Sequence, residues 1–339
     1  KQAAKRAIDE NITRYTPVGG MTKLKEAVVN KFKRDNKIEY DVSEVMISCG
    51  GKHALYNIAI SILNKGDEAI LPVPYWVSFE EMIKLAEAKP VFCKTDDKFK
   101  LTAKDVKKKI TNKTKMLILN SPSNPSGAVV EQEEIKKIAK LAVEHDFYVV
   151  SDEVYEFFVY GNNKQISIAS LNDEIKKLTI TVNSVSKTYA MTGWRIGYCG
   201  ANKEIIKAME NLQSHSTGNP SNIAQMAALE ALNGPQDSVK QMIKAFDERR
   251  RFMHKRLNEI YGIECVEPEG AFYAFPDISG TGMNSTEFSS KLLDEALVAV
   301  VPGNAFGSDK HVRLSYAVSM EDIEKGMDRI EKWVKKTIK

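Results

Sequence analysis

From Glu44 onward, short apolar runs rich in Val and Ile alternate with segments of helical periodicity. Strands of that kind are apolar on both faces, which fits a mostly parallel sheet covered by helices on each side, an α/β fold. The run VMISC leads into GGKHALYNIAISILNKGDE, where Gly66 is expected to close the helix, and AILPV reads as the next strand. Further on, KMLILN, FYVVSD and LTITVN are apolar runs that stop abruptly at a polar residue. Ligands of open parallel sheets sit outside the carboxyl ends of the strands. Asn120, Asp152 and Asn183 mark those ends.

A chain of 339 residues exceeds a comfortable single core, so two lobes with a cleft between them are expected. Residues 237–261, with DERRR inside, are predicted as a long polar-faced helix able to leave the large lobe. HVRLSYAV then reads as a strand and MEDIEKGMDRIEKWVKK as an amphipathic helix, which places a large domain over residues 15–244 and a smaller C-terminal one over 245–339. The opening KQAAKRAIDENITRY looks like a helix already running, without an initiating Met, so the native chain is expected to begin earlier. Residues 1–14 would then be the remnant of an N-terminal small-domain segment.

The charge balance of 49 basic against 45 acidic side chains is interspersed along the chain, which argues against nucleic acid as a partner. No apolar stretch approaches the ~20 residues of a membrane span. The four cysteines are scattered, with no C-x-x-C pair and no histidines at metal-ligand spacing, so reduced thiols in a cytoplasm and no metal are expected.

The richest segment for chemistry is SVSKTYAMTGWRIG, which places Lys187 in a bed of small and polar groups after a buried strand. A lysine that must stay uncharged to attack an aldehyde wants such a semi-enclosed site, although an arbitrary Ser-Lys pair is far more often a surface loop. Asp152 ends FYVV, and Tyr155 follows three residues later. A carboxylate there would keep a pyridine nitrogen protonated while a phenol meets the neighbouring ring oxygen; standing alone, the pair reads first as a helix-cap Asp and a core Tyr.

Gly50 and Gly51 open a strand-to-helix turn whose backbone N–H groups would approach an anion, or simply pack tightly. Arg195 would be a bidentate phosphate partner with Ser184 and Ser186 as hydroxyl donors; its plain alternative is an ordinary salt bridge. Asn124, in the two-proline loop NSPSNPSG, would donate to a phenolate or a substrate carboxylate. Trp76 offers a face for stacking or a core aromatic, and Arg313 a carboxylate clamp or a cross-strand surface residue.

Taken together, YTPVGG, GGKHAL, PYWVS, NSPSNPSG, SDEVY, SVSKTYAMTGWRIGY, GAFYAF and VRLSYA closely resemble, in the same order, the fold-type I, class I aminotransferases that depend on pyridoxal 5′-phosphate (PLP), in the prokaryotic aspartate and aspartate/prephenate branch. The resemblance runs from Tyr15 to the C-terminus. It implies a seven-stranded sheet in the large domain, a small α+β domain, and a ping-pong transfer between an acidic amino acid and a 2-oxo acid. By the same resemblance, Lys187 holds the cofactor as a Schiff base and moves the substrate proton. Asp152 would pair with the ring nitrogen, Tyr155 and Asn124 with the phenolic oxygen, and Trp76 with the ring face. Ser184, Arg195 and the Gly51-Lys52 turn would hold the phosphate. Arg313 would clamp the α-carboxylate, and Lys52 would read the distal carboxylate of aspartate or glutamate. Tyr15 would reach the phosphate of a neighbouring subunit, implying a homodimer with shared sites.

Family members carry several tens of residues before the region matching Tyr15. The same cofactor residues also serve aromatic, prephenate and alanine aminotransferases, PLP lyases, and the ligand-sensing domains of some regulators.

Overall fold

The computed structural model describes residues 1–338. Among them a seven-stranded sheet is built from β1 (Val45–Ser48), β2 (Glu68–Val73), β3 (Lys89–Lys94), β4 (Thr114–Asn120), β5 (Tyr148–Asp152), β6 (Thr179–Ser184) and β7 (Gly197–Gly200), in the order β1-β7-β6-β5-β4-β2-β3. Neighbours from β3 to β6 run parallel, whereas β7 is antiparallel to both β6 and β1. The central strands are buried along nearly their whole length, as their Val, Ile and Leu content requires when helices cover both faces. One core packs the helix Gly51–Ile62 onto Met46, Leu71, Ile118 and Val182, and another packs the helix Gln132–His145 onto Leu117, Leu119 and Val149.

A further core gathers Phe158, Phe246, Phe272, Tyr316 and Trp333. It joins the helices Asp237–Asn258, Ser285–Ala296 and Met320–Thr337 to a three-stranded sheet of β8 (Tyr273–Ala274), β9 (Val301–Pro302) and β10 (Val312–Ser315), ordered β8-β10-β9. The helix Asp237–Asn258 is unbroken across Ala245 and touches both bodies of the fold.

Two local expectations are corrected. The helix after the Gly-Gly turn closes at Ile62, because Leu63 is already extended and buried, and Asn64 donates its N–H to Asp67 in a separate turn. Gly66, at φ +90°, shapes that turn instead of capping the helix. At the N-terminus the helix stops at Asp9, and Asn11 adopts a left-handed φ of 55°, so residues 10–15 leave helical geometry. No helix among the described residues is long and apolar enough to cross a membrane.

Candidate active site

Register aligns the strand ends on which the site is built: Asn120 at the end of β4 lies opposite Asp152 at the end of β5, and Asp152 lies opposite Val182, two residues before the end of β6. A cleft of about 330 Å³ opens beyond these ends. Its walls carry Lys187, Asp152, Tyr155, Asn124, Trp76 and Arg313, together with Gly51, Lys52, Ser184, Ser186 and Arg195.

Lys187 sits in a single helical turn, Val185–Thr188, that begins as β6 ends; Ser184 caps it by accepting the Ser186 N–H at 3.2 Å. Burial disfavours the Lys187 ammonium, and the Arg313 and Arg195 charges add to that effect against the opposing pull of Asp152, so its pKa is lowered. The amine is thereby biased toward its nucleophilic form. Its Nζ lies 5.9 Å from the Tyr155 ring centre and 5.5 Å from that of Phe272.

Asp152 is 4 % exposed and accepts one hydrogen bond, from the Val154 N–H at 3.3 Å. That Asx turn swings the chain so that Tyr155 faces the same cleft. Burial raises the Asp152 carboxyl to about 7, only partly offset by the Val154 N–H and Lys187. A buried acid so poorly partnered is matched to a cationic N–H donor arriving in the cleft. Tyr155 is buried, with its hydroxyl 3.0 Å from that of Tyr273. Behind the turn, buried Glu153 accepts from Ser151 Oγ at 2.8 Å and from Asn36 Nδ2 at 2.8 Å, while Lys31 pairs with Glu156. This network anchors both ends of the segment that presents Asp152 and Tyr155.

Asn124 donates its N–H to Asn120 Oδ1 at 2.9 Å, and Asn120 Nδ2 donates to the Asp152 carbonyl at 3.1 Å, so the two-proline loop is tied to the strand ends. On the opposite wall, Gly50 has φ +91° and a Cβ there would lie 2.2 Å from Arg195 Nη2. A Cβ on Gly197 would lie 2.2 Å from the Gly51 nitrogen. The glycines thus let the N-terminus of the helix Gly51–Ile62, its unpaired N–H groups and the guanidinium crowd one spot, a ready anion cup. Among the described residues Arg195 has no carboxylate partner: it donates to the carbonyls of Thr192 at 2.8 Å and Cys49 at 3.3 Å from a left-handed φ of 57°. Trp76 stands edge-on to Phe79 with the Lys52 Nζ 5.0 Å from its ring centre. Arg313, on β10, donates to Asn124 Oδ1 at 2.8 Å.

Tyr15 is 99 % exposed and stands apart from this cleft. The cleft also includes Asn120, Thr192 and Tyr273, which the motif reading did not single out as site residues. Asn120 was legible as a strand end. Nothing in the sequence ranks Tyr273 above its aromatic neighbours.

An anion cup at a helix N-terminus, a desolvated lysine and a buried acid meet at the carboxyl edge of an open α/β sheet, and the family and solved structures that the chain matches make it a PLP-dependent transferase of fold type I. A family model, aminotransferase class I and II, matches residues 1–330, and the chain belongs to that family. It is 48 % identical over 340 residues to the aspartate aminotransferase of Bacillus sp. (strain YM-2), covering 98 % of this chain and 87 % of the relative. Among solved structures, it resembles the aspartate aminotransferase of Rhizobium meliloti with a TM-score of 0.95 at 40 % identity, covering 98 % and 87 % of the two chains. It also resembles an aromatic aminotransferase of Pyrococcus horikoshii OT3, with a TM-score of 0.96 at 43 % identity, covering 99 % and 91 %. Class I aminotransferases use PLP, and the under-partnered Asp152 and the glycine-lined cup fit that group.

Proposed function

We propose that the chain transfers an amino group between aspartate or glutamate and a 2-oxo acid, one substrate leaving as its oxo acid before the next enters. The observation that carries the reading is the convergence of Lys187, Asp152 and Arg313, from distant stretches of chain, on one cleft. When bound, PLP supplies an aldehyde that condenses with amines and a ring that accepts the electron pair released at Cα.

The Asp152 carboxylate holds a proton on the ring nitrogen. Tyr155 and Asn124 hold the phenolic oxygen, Trp76 flanks the ring, and Ser184, Ser186, Arg195 and the Gly50-Gly51-Lys52 backbone hold the phosphate. Arg313 exchanges Asn124 for the substrate's α-carboxylate and so fixes the Cα–H bond relative to Lys187. Lys187 Nζ takes that proton and returns it. Lys52, exposed at the rim with its Nζ over Trp76, meets the distal carboxylate; the identity to aspartate aminotransferases supports this choice of substrate.

Aminotransferases of this family are generally dimeric, and full exposure of the Tyr15 ring supports a homodimer in which Tyr15 reaches the partner's phosphate cup. We place the large domain at residues 15–244 and the small one at 245–339, with residues 1–14 part of an N-terminal small-domain segment. The site is cytoplasmic in this reading, in keeping with four free cysteines.

Single-turnover absorbance of the PLP-loaded protein, mixed separately with aspartate, glutamate, phenylalanine and alanine, tests the reading. Rapid loss of the visible band with the two acidic amino acids, abolished in Lys52→Ala, is expected. Equal or faster loss with phenylalanine or alanine would remove the acidic preference, and return of the band with free ammonia would mark a lyase.

A further inference from the structure

We infer that Tyr273 is a positioning residue for the reacting centre: its hydroxyl orients the Tyr155 proton toward the cofactor, and its ring supports the guanidinium that meets the substrate. The inference rests on the roles given above to Tyr155 and Arg313.

Tyr273 lies on β8, opposite Ser315 of β10. Arg313 is two residues from Ser315 and therefore on the same face, a diagonal neighbour of Tyr273. The contact follows: Arg313 Cζ stands 4.5 Å from the Tyr273 ring centre and 5.0 Å from that of Phe306. The planar cation is held over two aromatic rings, which limits its swing and leaves its edge for a carboxylate.

The hydroxyl has a separate task. Tyr273 is 6 % exposed, and its oxygen lies 3.0 Å from that of Tyr155, the ring planes crossing at 81°. Burial raises both phenols above their ordinary range, so both keep their protons. In such a pair one hydroxyl donates to the other and one proton is left to point elsewhere. If Tyr155 donated to Tyr273, an electron-rich oxygen in the cleft would meet only lone pairs. With Tyr273 donating, Tyr155 is free to donate outward, and two aligned hydroxyl dipoles strengthen each other. The charged groups acting on the pair are Asp152 and Arg313, with Arg195 and Lys187 beside them. Tyr273 therefore connects the carboxylate end of the cleft to the phenolic end through one side chain.

The test uses the PLP-loaded protein and reads the pH midpoint of the cofactor's visible absorbance in wild type, Tyr155→Phe, Tyr273→Phe and the double variant. A phenolic oxygen that loses a donor holds its neighbouring proton more tightly, so Y155F should raise the midpoint. Y273F, which keeps the ring under Arg313, should raise it by roughly half a pH unit, less than Y155F. It should lower kcat roughly three- to tenfold while the amino-acid KM stays within about twofold. The double variant should shift no further than Y155F alone, since the outer hydroxyl acts only through the inner one. A wild-type midpoint in Y273F beside a shifted Y155F, or additive shifts in the double variant, would overturn the inference. An unshifted Y155F would instead remove the assignment of Tyr155 itself, and this inference with it.

Discussion

Arg313 Nη1 donates to Asn124 Oδ1 at 2.8 Å, joining residues 189 positions apart across the mouth of the cleft. The amide oxygen is neutral and engages one nitrogen of the fork, whereas a carboxylate offers two charged oxygens to both. In the proposed reading an arriving α-carboxylate displaces the amide, because a bidentate pair between two charged groups outweighs a single bond to a neutral oxygen. Arg313→Lys keeps the charge and loses the fork. The expected result in steady-state kinetics is an amino-acid KM raised about 10- to 100-fold, with inhibition by dicarboxylates weakened alongside. A KM within twofold of wild type would mean that the guanidinium does not clamp the α-carboxylate.

Asp152 gives a pH-linked prediction. Its carboxyl is raised to about 7 in the folded chain against an ordinary 3.8, so the folded state binds the proton more tightly than the unfolded one. The stability this confers is fully present below about 4 and is lost as pH rises through about 7. At about 1.4 kcal/mol per pH unit, the loss has an upper bound of about 4 kcal/mol. In the cofactor-free protein, Asp152→Asn should therefore gain urea resistance relative to wild type as pH climbs from 4 to 8. Adding PLP should reverse the order, because the cationic ring nitrogen pairs only with the wild-type carboxylate. Turnover of Asp152→Ala should fall far more than its cofactor content, and near-normal turnover would exclude an electron-sink role.

His311 titrates in the opposite sense. It is buried, stacked on Phe275 with ring centres 4.8 Å apart, and depressed to about 4 by burial against the pull of Asp277, with Lys310 adding to the depression. Stability from a base held neutral is present above its ordinary 6.5 and is lost as pH falls through about 4. Thermal midpoints should decline over that window by the slope of one proton. His311→Gln should flatten the decline while lowering the midpoint at pH 8, where the aromatic stack and the Ser308 hydrogen bond are missed. An unchanged slope would assign the acid lability to other groups.

Five strands of the large sheet, β1, β2, β4, β5 and β6, were legible as apolar runs, and the polar residues that cut off β4, β5 and β6 mark where the site lies; β3, half exposed, and β7, Gly-Tyr-Cys-Gly, carry no such pattern. Asp152 could be read because it ends β5 and Lys187 because it follows the end of β6 by three residues, whereas Arg195 lies just ahead of β7 in the same segment. What escaped was structure made by pairing. β8 and β9 are two residues long, too short for any periodicity, and exist because β10 lies between them. Tyr273 escaped with them, since its partners Tyr155 and Arg313 are distant in sequence. The Lys31–Glu156 pair joins residues 125 positions apart, so neither the pairing nor the 1 % exposure of Lys31 has a local signal in the sequence. Gly66 misled because a glycine after a helix usually ends it, and here the chain had already turned at Leu63.

The antiparallel β7 also sets the order in which the molecule can be assembled. β1 finds its sheet partner only in β7, whose residues leave the ribosome about 150 positions later. Until then the nascent chain holds a buried-type strand with no neighbour, and long-range closures of this kind are slow and expose apolar edges. The Gly50–Gly51 cup hangs from β1 and Lys187 from β6, and β7 is the wedge between them. The cup and the lysine therefore take up their spacing across the sheet only once that wedge is seated.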